Sequence, residues 1–323
     1  MLEDVVAVPE RCISAAHQIL SSGILERELT PWIELKTKDK RKRLLFRGAL
    51  ALIDANYLYR KQGKLCKLEG ILSGKRISGS YGMHQIARLR FEEDESLFEP
   101  EKMARMTLKK FEDFFRDDEG NFYFSKQSKE LTKLRASFWR DWGRKLMRYF
   151  KGDPRGIFKL RRIEDYLLKL DLFDGFQGDY PCNKKKHNYI ARAEEGKEIA
   201  PPLDPYNRNA LIDYVVSKVA LRIGLVNVLS PGLKEKLQTH ANLSFGEMQS
   251  LRIAVHRAIN CFVKSELFKY NPDTNMYKVD QWFFGKGPIC RDFETSCKRC
   301  DASQICARQI DYLTPGTYST LLI

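Results

Sequence analysis

Four cysteines toward the C-terminal end, Cys290, Cys297, Cys300 and Cys306, constrain this chain more than any other stretch. They stand in "CRDFETSCKRCDASQIC" with the spacing C-x6-C-x2-C-x5-C. Thiolates so close in sequence can converge on one inorganic centre without help from a distant part of the chain. A [4Fe–4S] cluster takes four Cys ligands, and a compact loop suffices to supply them. Structural zinc sites more often pair two short C-x2-4-C units, and only Cys297 and Cys300 form one here. A pair of disulfides would need an oxidising compartment, of which the sequence gives no sign. The spacing therefore favours a cluster over zinc, and zinc over disulfides. Lys286, Arg291, Lys298, Arg299 and Arg308 lie among or beside the cysteines, so the loop is basic as well as metal-ready.

The other cysteines, Cys12, Cys66, Cys182 and Cys261, read as reduced and packed in an intracellular, cytoplasmic protein. No apolar run approaches membrane-spanning length, and "MLEDVVAVPE" lacks the basic-then-apolar pattern of a secretion signal. At 323 residues the chain can bury one large core or two smaller ones. Its 56 Lys+Arg against 42 Asp+Glu leave a net charge of +14, which favours a polyanionic partner. Charge alone does not choose between DNA, RNA and anionic lipid, and solubility is the plain alternative.

Along the chain the apolar spacing is mostly helical. Residues 1–35 read as short helices punctuated by Pro9, Gly23 and Pro31. The basic run Lys36–Arg43 leads into an amphipathic helix through Leu45, Ala49, Leu52, Ile53 and Asn56. "SGKRISGSYG" (Ser73–Gly82) is the best internal boundary. "SKELTKLRASFWRDWGRKLMRYF" carries Leu131, Leu134, Phe138, Trp142, Leu146 and Phe150 on one face and Arg135, Arg140, Arg144 and Arg148 on the other. Aromatic stripes of this kind on apolar faces point to a core. A polar stretch then precedes the apolar run "ALIDYVVSKVALRIGLV", which Gly224 can close. Ser244 and Glu247 form a capping box that opens a helix through Leu251, Val255, Ile259 and Phe262. "KYNPDTNMYKV" reads as a loop or short hairpin. Strand signals are sparse, so the expected class is all-α. The five histidines, His187 and His256 among them, form no metal or triad pattern.

The cysteine spacing, with the lead-in "DQWFFGKGPIC" and its Trp282 and Gly285, resembles that of the endonuclease III-type iron–sulfur DNA glycosylases and the related adenine-mismatch glycosylases. A second segment strengthens the likeness. "IDYVVSKVALRIGLV" is similar to the glycosylase segment that follows the helix-hairpin-helix, matching at Asp213, Val216, Val219, Arg222, Gly224, Leu225 and Val226. It carries Lys218 where that family has an arginine, and departs at Tyr214 and Val215, where the family has Thr and His. Asp213 falls on the family's catalytic aspartate. A carboxylate there can stabilise the positive charge that builds on the sugar as an N-glycosidic bond breaks, or activate the attacking water. Taken without the resemblance, Asp213 is a first-turn acid favoured by the helix dipole. The hairpin is poorly preserved, with Lys184, Lys185 and Lys186 where a glycine-rich turn is expected. Over residues 79–264 the chain also resembles the queuosine-salvage glycosylases, through the Asp213–Tyr214 pair, "KKKHNYIA" and "LSFGEMQSLRIAVHRAI". Their usual Pro-Gln is Ser217-Lys218 here, and they lack the cysteine cluster.

Together these features imply a two-lobed helical fold of the helix-hairpin-helix glycosylase type with a C-terminal iron–sulfur loop. Its expected parts are an N-terminal helical segment (1–78) packing with the C-terminal lobe, a glycosylase-like core (79–264) and the cluster region (265–323). The expected activity is monofunctional hydrolysis of the N-glycosidic bond of a damaged or modified base flipped from DNA, bulky or deazaguanine-like in kind. Asp213 is the expected catalytic group. Tyr214, Lys184, Lys185, Lys186, Lys298 and Arg299 are expected to meet substrate or DNA, and Cys290, Cys297, Cys300 and Cys306 to ligate a [4Fe–4S] cluster. DNA is the expected partner of a monomer with no membrane association. A queuosine-type nucleoside or nucleotide N-glycosidase and a non-catalytic nucleic-acid-binding iron–sulfur protein are the alternatives.

Overall fold

Helix-forming runs, each stopped by a capping side chain or a glycine, build most of the structure. The computed structural model describes residues 4–27, 33–54, 57–62, 64–158, 168–177, 190, 209–292, 296–309 and 311–313. These residues are mostly helical, with three two-stranded antiparallel sheets. The fold is thus mostly α, as expected at that level, and the small sheets are an addition: their strands are three or four residues long, too short to leave an alternating pattern. Contacts divide the described chain into two units, residues 33–177 with 190, and residues 4–27 with 209–313. Among the described residues no helix is long and apolar enough to cross a membrane.

In the unit of residues 33–177, the helix Lys129–Phe150 is the organising element. Ser128 caps it by accepting the Leu131 N–H at 3.3 Å. It buries Leu131, Phe138, Trp139, Trp142 and Leu146. The Trp139 ring lies 5.3–6.0 Å from the rings of Phe98, Phe111, Phe114 and Phe115, so the aromatic stripes are core, as expected. Arg135 is a correction. It is fully buried, with its guanidinium 4.1 Å from the Phe124 ring centroid and Nη1 donating to Gln127 at 2.7 Å. It therefore belongs to the core, apart from any cationic surface stripe.

The helix Lys40–Ile53 starts at Asp39, whose Oδ1 accepts the N–H groups of Arg41 and Lys42. Every residue from Leu44 to Ile53 is buried, so its second half is enclosed on all sides and is not amphipathic. The basic entrance is largely neutralised inside its own unit. Arg41 forms a two-pronged pair with Glu99, Lys42 pairs with Glu95, and Lys36 lies 3.6 Å from Glu92. "SGKRISGSYG" is no boundary. Ser73 and Gly74 make the positive-φ turn of the hairpin Glu69–Leu72 and Lys75–Ser78, and Gly79 opens the helix Gly79–Glu93.

In the other unit, strand Val5–Ala7 pairs antiparallel with Val226–Val228. Helix Pro9–Ser21, with Pro at its first position, packs on the last turns of a long helix. That long helix starts at the expected capping box, Ser244 with Glu247, and runs Phe245–Arg257, through a π-helical segment Ala258–Val263, to Lys264–Tyr270. The stretch expected to be a loop or hairpin is partly helical: Asn275 caps Met276–Lys286, which carries Trp282 and leads to the first cysteine. Of the four cysteines outside the cluster motif, Cys12 is buried, and burial pushes its thiol up to about 12. Cys261 is exposed, which corrects its reading as packed, and Cys182 lies outside the described residues.

Candidate active site and cysteine loop

The two motifs of the sequence meet on one helix, Tyr214–Ile223. Asp213 is its N-cap, half-buried, with Oδ1 accepting the Val216 N–H at 2.8 Å. This is the capping role that residue type alone suggests. The cap uses one carboxylate oxygen, and among the described residues Oδ2 takes no hydrogen bond. The approach to Asp213 is fixed by buried side chains from two other helices. Asn260 brackets Ala210, accepting its N–H at 2.7 Å and donating to its carbonyl at 3.3 Å. Asp280 accepts the Leu211 N–H at 3.2 Å. Asn260 stands in the π-helical segment, a distortion found often at functional sites. Gly287 completes the fit, since a Cβ there would come within 2.5 Å of Val215 Cγ1.

At its other end the same helix grips the cysteine loop. Arg222 is 1% exposed and uses all three guanidinium nitrogens. Its Nε donates to Tyr312 O at 2.6 Å, and Nη1 donates to Cys290 O and Arg291 O at 3.0 Å each and meets Cys290 Sγ at 3.5 Å. Nη2 donates to Asp292 Oδ1 at 3.3 Å. Asp292 also draws Lys218 Nζ to 3.4 Å and His240 Nε2 to 3.6 Å. Burial lowers the Lys218 ammonium from its ordinary value, and Asp292 opposes that shift. The backbone closes the joint: Ala307 N–H donates to Ile223 O, Gln309 N–H to Arg222 O, and the Cys306 thiol lies 3.3 Å from Arg222 O. Gly224, at φ +89°, ends the helix there, and a Cβ on it would meet Ala307 Cβ at 2.9 Å. Arg222 and Gly224 thus act on the loop, and Asp213 stands ten helical residues away, roughly 15 Å.

Burial pushes Cys300 and Cys306 up, and Cys290 adds to both shifts and Cys297 to that of Cys306. Among the described residues no group of three or more His, Cys, Asp or Glu surrounds a point suited to a single metal ion. A [4Fe–4S] cube makes a different demand, one thiolate for each of four irons, from sulfurs ringed around a whole cluster. Two observations suit thiolate ligands. Arg222 Nη1–H faces Cys290 Sγ, and Arg308 N–H donates to Cys306 Sγ at 3.3 Å. Cys290, Cys297, Cys300 and Cys306 are therefore the residues that could hold a cluster.

The other expected site residues lie as follows. Tyr214 is half-buried in the first helical turn. Lys298 and Arg299 are exposed in the 3-10 turn Cys297–Arg299, with Arg291 and Arg308 also exposed on the loop. Lys286 is turned inward, paired with Asp301 and lying 4.4 Å over the Trp282 ring. Lys184, Lys185, Lys186 and His187 lie outside the described residues. Asn260, Asp280 and Asp292 went unnoticed in the sequence, because a single polar residue inside an apolar pattern carries no mark of what it bonds. No protein-family model matches the chain, and no curated protein matches it.

Proposed function

We propose that the chain is a DNA glycosylase of the helix-hairpin-helix, iron–sulfur type, hydrolysing the N-glycosidic bond of a modified base. The mixed resemblance directs the choice of base toward bulky or deazaguanine-like modifications. One observation carries the reading: a single short helix presents Asp213 at one end and clasps the cysteine loop at the other. Two motifs that merely resembled a family by chance would have no reason to be hydrogen-bonded to one another.

In this reading the Val216 N–H holds Oδ1, so Oδ2 is presented in a fixed direction. As the bond between the sugar C1′ and the base nitrogen breaks, its electron pair leaves with the base and positive charge builds on the sugar. The Asp213 carboxylate stabilises that charge and orients a water. The water oxygen bonds to C1′, and its proton ends on the departing base. Asn260 and Asp280 act as positioning residues, fixing the backbone that leads into Asp213. Cys290, Cys297, Cys300 and Cys306 would hold the cluster, which would brace the loop and take no part in the hydrolysis. In this reading the exposed Lys298 and Arg299 would meet DNA phosphates.

The test is mass-spectrometric detection of free base from a panel of modified-base duplexes and free nucleosides, with Asp213→Asn as control. Release from duplex that is lost in the variant is expected. Release from free nucleosides alone would replace this reading with a queuosine-type nucleosidase. Tight DNA binding with no release from any substrate would leave a non-catalytic binder.

A further inference from the structure

Two hairpins follow one another in the unit of residues 33–177, and they treat charge in opposite ways. In the second, Glu69–Leu72 with Lys75–Ser78, Arg76 is paired with Glu69, and Asp117 and Asp118 accept the N–H groups of Ile71 and Ser73. The first, Leu58–Lys61 with Lys64–Lys67, carries Arg60, Lys61, Lys64 and Lys67 and has no acid between residues 55 and 68. Its register sets Lys61 directly opposite Lys64 beside the turn. Like charges so placed destabilise an antiparallel pair, and a lone two-stranded hairpin has little stability to spare. Lys61 and Lys67 are exposed and form no ion pair among the described residues. A further cation arrives from elsewhere in the chain: exposed Lys126 sets Nζ 5.3 Å from the centroid of the half-buried Tyr59 ring on this hairpin. Excess lysine does not account for the pattern, because the run at residues 36–43 in the same unit is matched by Glu92, Glu95 and Glu99.

We propose that the first hairpin, with Tyr59 and Lys126, is a nucleic-acid-binding wing that grips a DNA phosphate backbone. Bound phosphates would relieve the repulsion that the free hairpin carries. A two-stranded ribbon is a shape the major groove of B-DNA admits, and an aromatic ring among cations suits a nucleotide's sugar and base. Insertion into a lipid surface would call for exposed apolar side chains. Among the described side chains of the hairpin and its partner, the exposed ones are Lys61, Gln62, Lys67 and Lys126, none of them apolar. This inference rests on the nucleic-acid half of the proposed function and is independent of the base-releasing chemistry.

The experiment is fluorescence anisotropy of a short, unmodified, labelled DNA duplex with the intact protein and with the triple variant Lys61→Gln, Lys67→Gln, Lys126→Gln. Binding is followed between about 50 and 200 mM salt. The variant should bind about tenfold or more weakly at low salt. The slope of log affinity against log salt should become shallower by roughly two to three, at about 0.9 per lost phosphate contact. Its melting temperature should equal or exceed that of the parent, because repulsion has been removed; a purely structural role would lower it. Arg76→Gln, on the neighbouring hairpin, should leave the salt slope in place. An unchanged slope in the triple variant overturns the proposal. So does a variant that loses binding only to phosphatidylserine vesicles, which would make the wing a lipid contact. The duplex carries no modified base, so this result and the base-release result can fail separately.

Discussion

Arg222 and Arg135 are both buried almost completely, one in each unit, yet their surroundings differ in kind. Arg222 is ringed by backbone carbonyls, a thiol and the Asp292 carboxylate. Arg135 lies over Phe124 and near Tyr57 and donates to Gln127, and burial lowers its guanidinium to about 10. The first arginine holds together a loop that has almost no regular structure of its own. The second fills space in a core that aromatic rings already define. One buried arginine thus braces backbone that lacks regular structure, and the other packs among aromatic rings.

This contrast is open to attack at several points. Arg222→Met should cost about 3–5 kcal/mol, because it removes the side chain that serves three carbonyls and leaves the Asp292 carboxylate to Lys218 and His240. Urea denaturation would measure the loss, and alkylation of Cys290 and Cys306 should speed up in step. Arg135→Met should cost clearly less, since an apolar chain of similar size suits an aromatic cavity. Equal costs would erase the distinction between the units. Trp139→Ala should cost roughly 3–4 kcal/mol through the cavity it leaves, while alkylation of the cysteine loop stays unchanged.

A smaller effect comes from His256, where burial, with Lys264 and Arg252 adding to it, lowers the imidazole from 6.5 to about 4. The folded chain therefore stays unprotonated where the unfolded chain takes up a proton. Stability present above pH 6.5 should fall as pH drops toward 4, by up to about 3 kcal/mol. His256→Gln should flatten stability across that window, and a pH profile that keeps its slope in the variant would refute the assignment. The smallest effect expected is from Ser244→Ala, about 1 kcal/mol, read as a shift in the denaturation midpoint.

What the sequence revealed followed the reach of each signal. The capping box at Ser244, the helix stop at Gly224 and the aromatic core stripes are local patterns, and the structure has them where they were expected. Arg135 defeats the same logic, because cation–π packing lets an arginine sit where amphipathic spacing predicts solvent. The strand Val5–Ala7 is invisible in sequence since its partner, Val226–Val228, is far along the chain. At the candidate site, Asp213 and the cysteines could be picked out by spacing and resemblance. The residues that join them could not, for Asp292 and Asn260 draw their meaning from bonds made across the fold.

The central claim is that Asp213 performs chemistry at the end of the helix that holds the cysteine loop. Asp213→Asn tests it most directly, because Asn is as good an N-cap as Asp and should keep the bond to Val216 while losing the charge. Single-turnover release of base from the best modified duplex should fall by about 10²–10⁴-fold in the variant. Melting temperature and DNA affinity should match those of the parent. Release at an undiminished rate by a folded, DNA-binding Asp213→Asn protein would contradict the account.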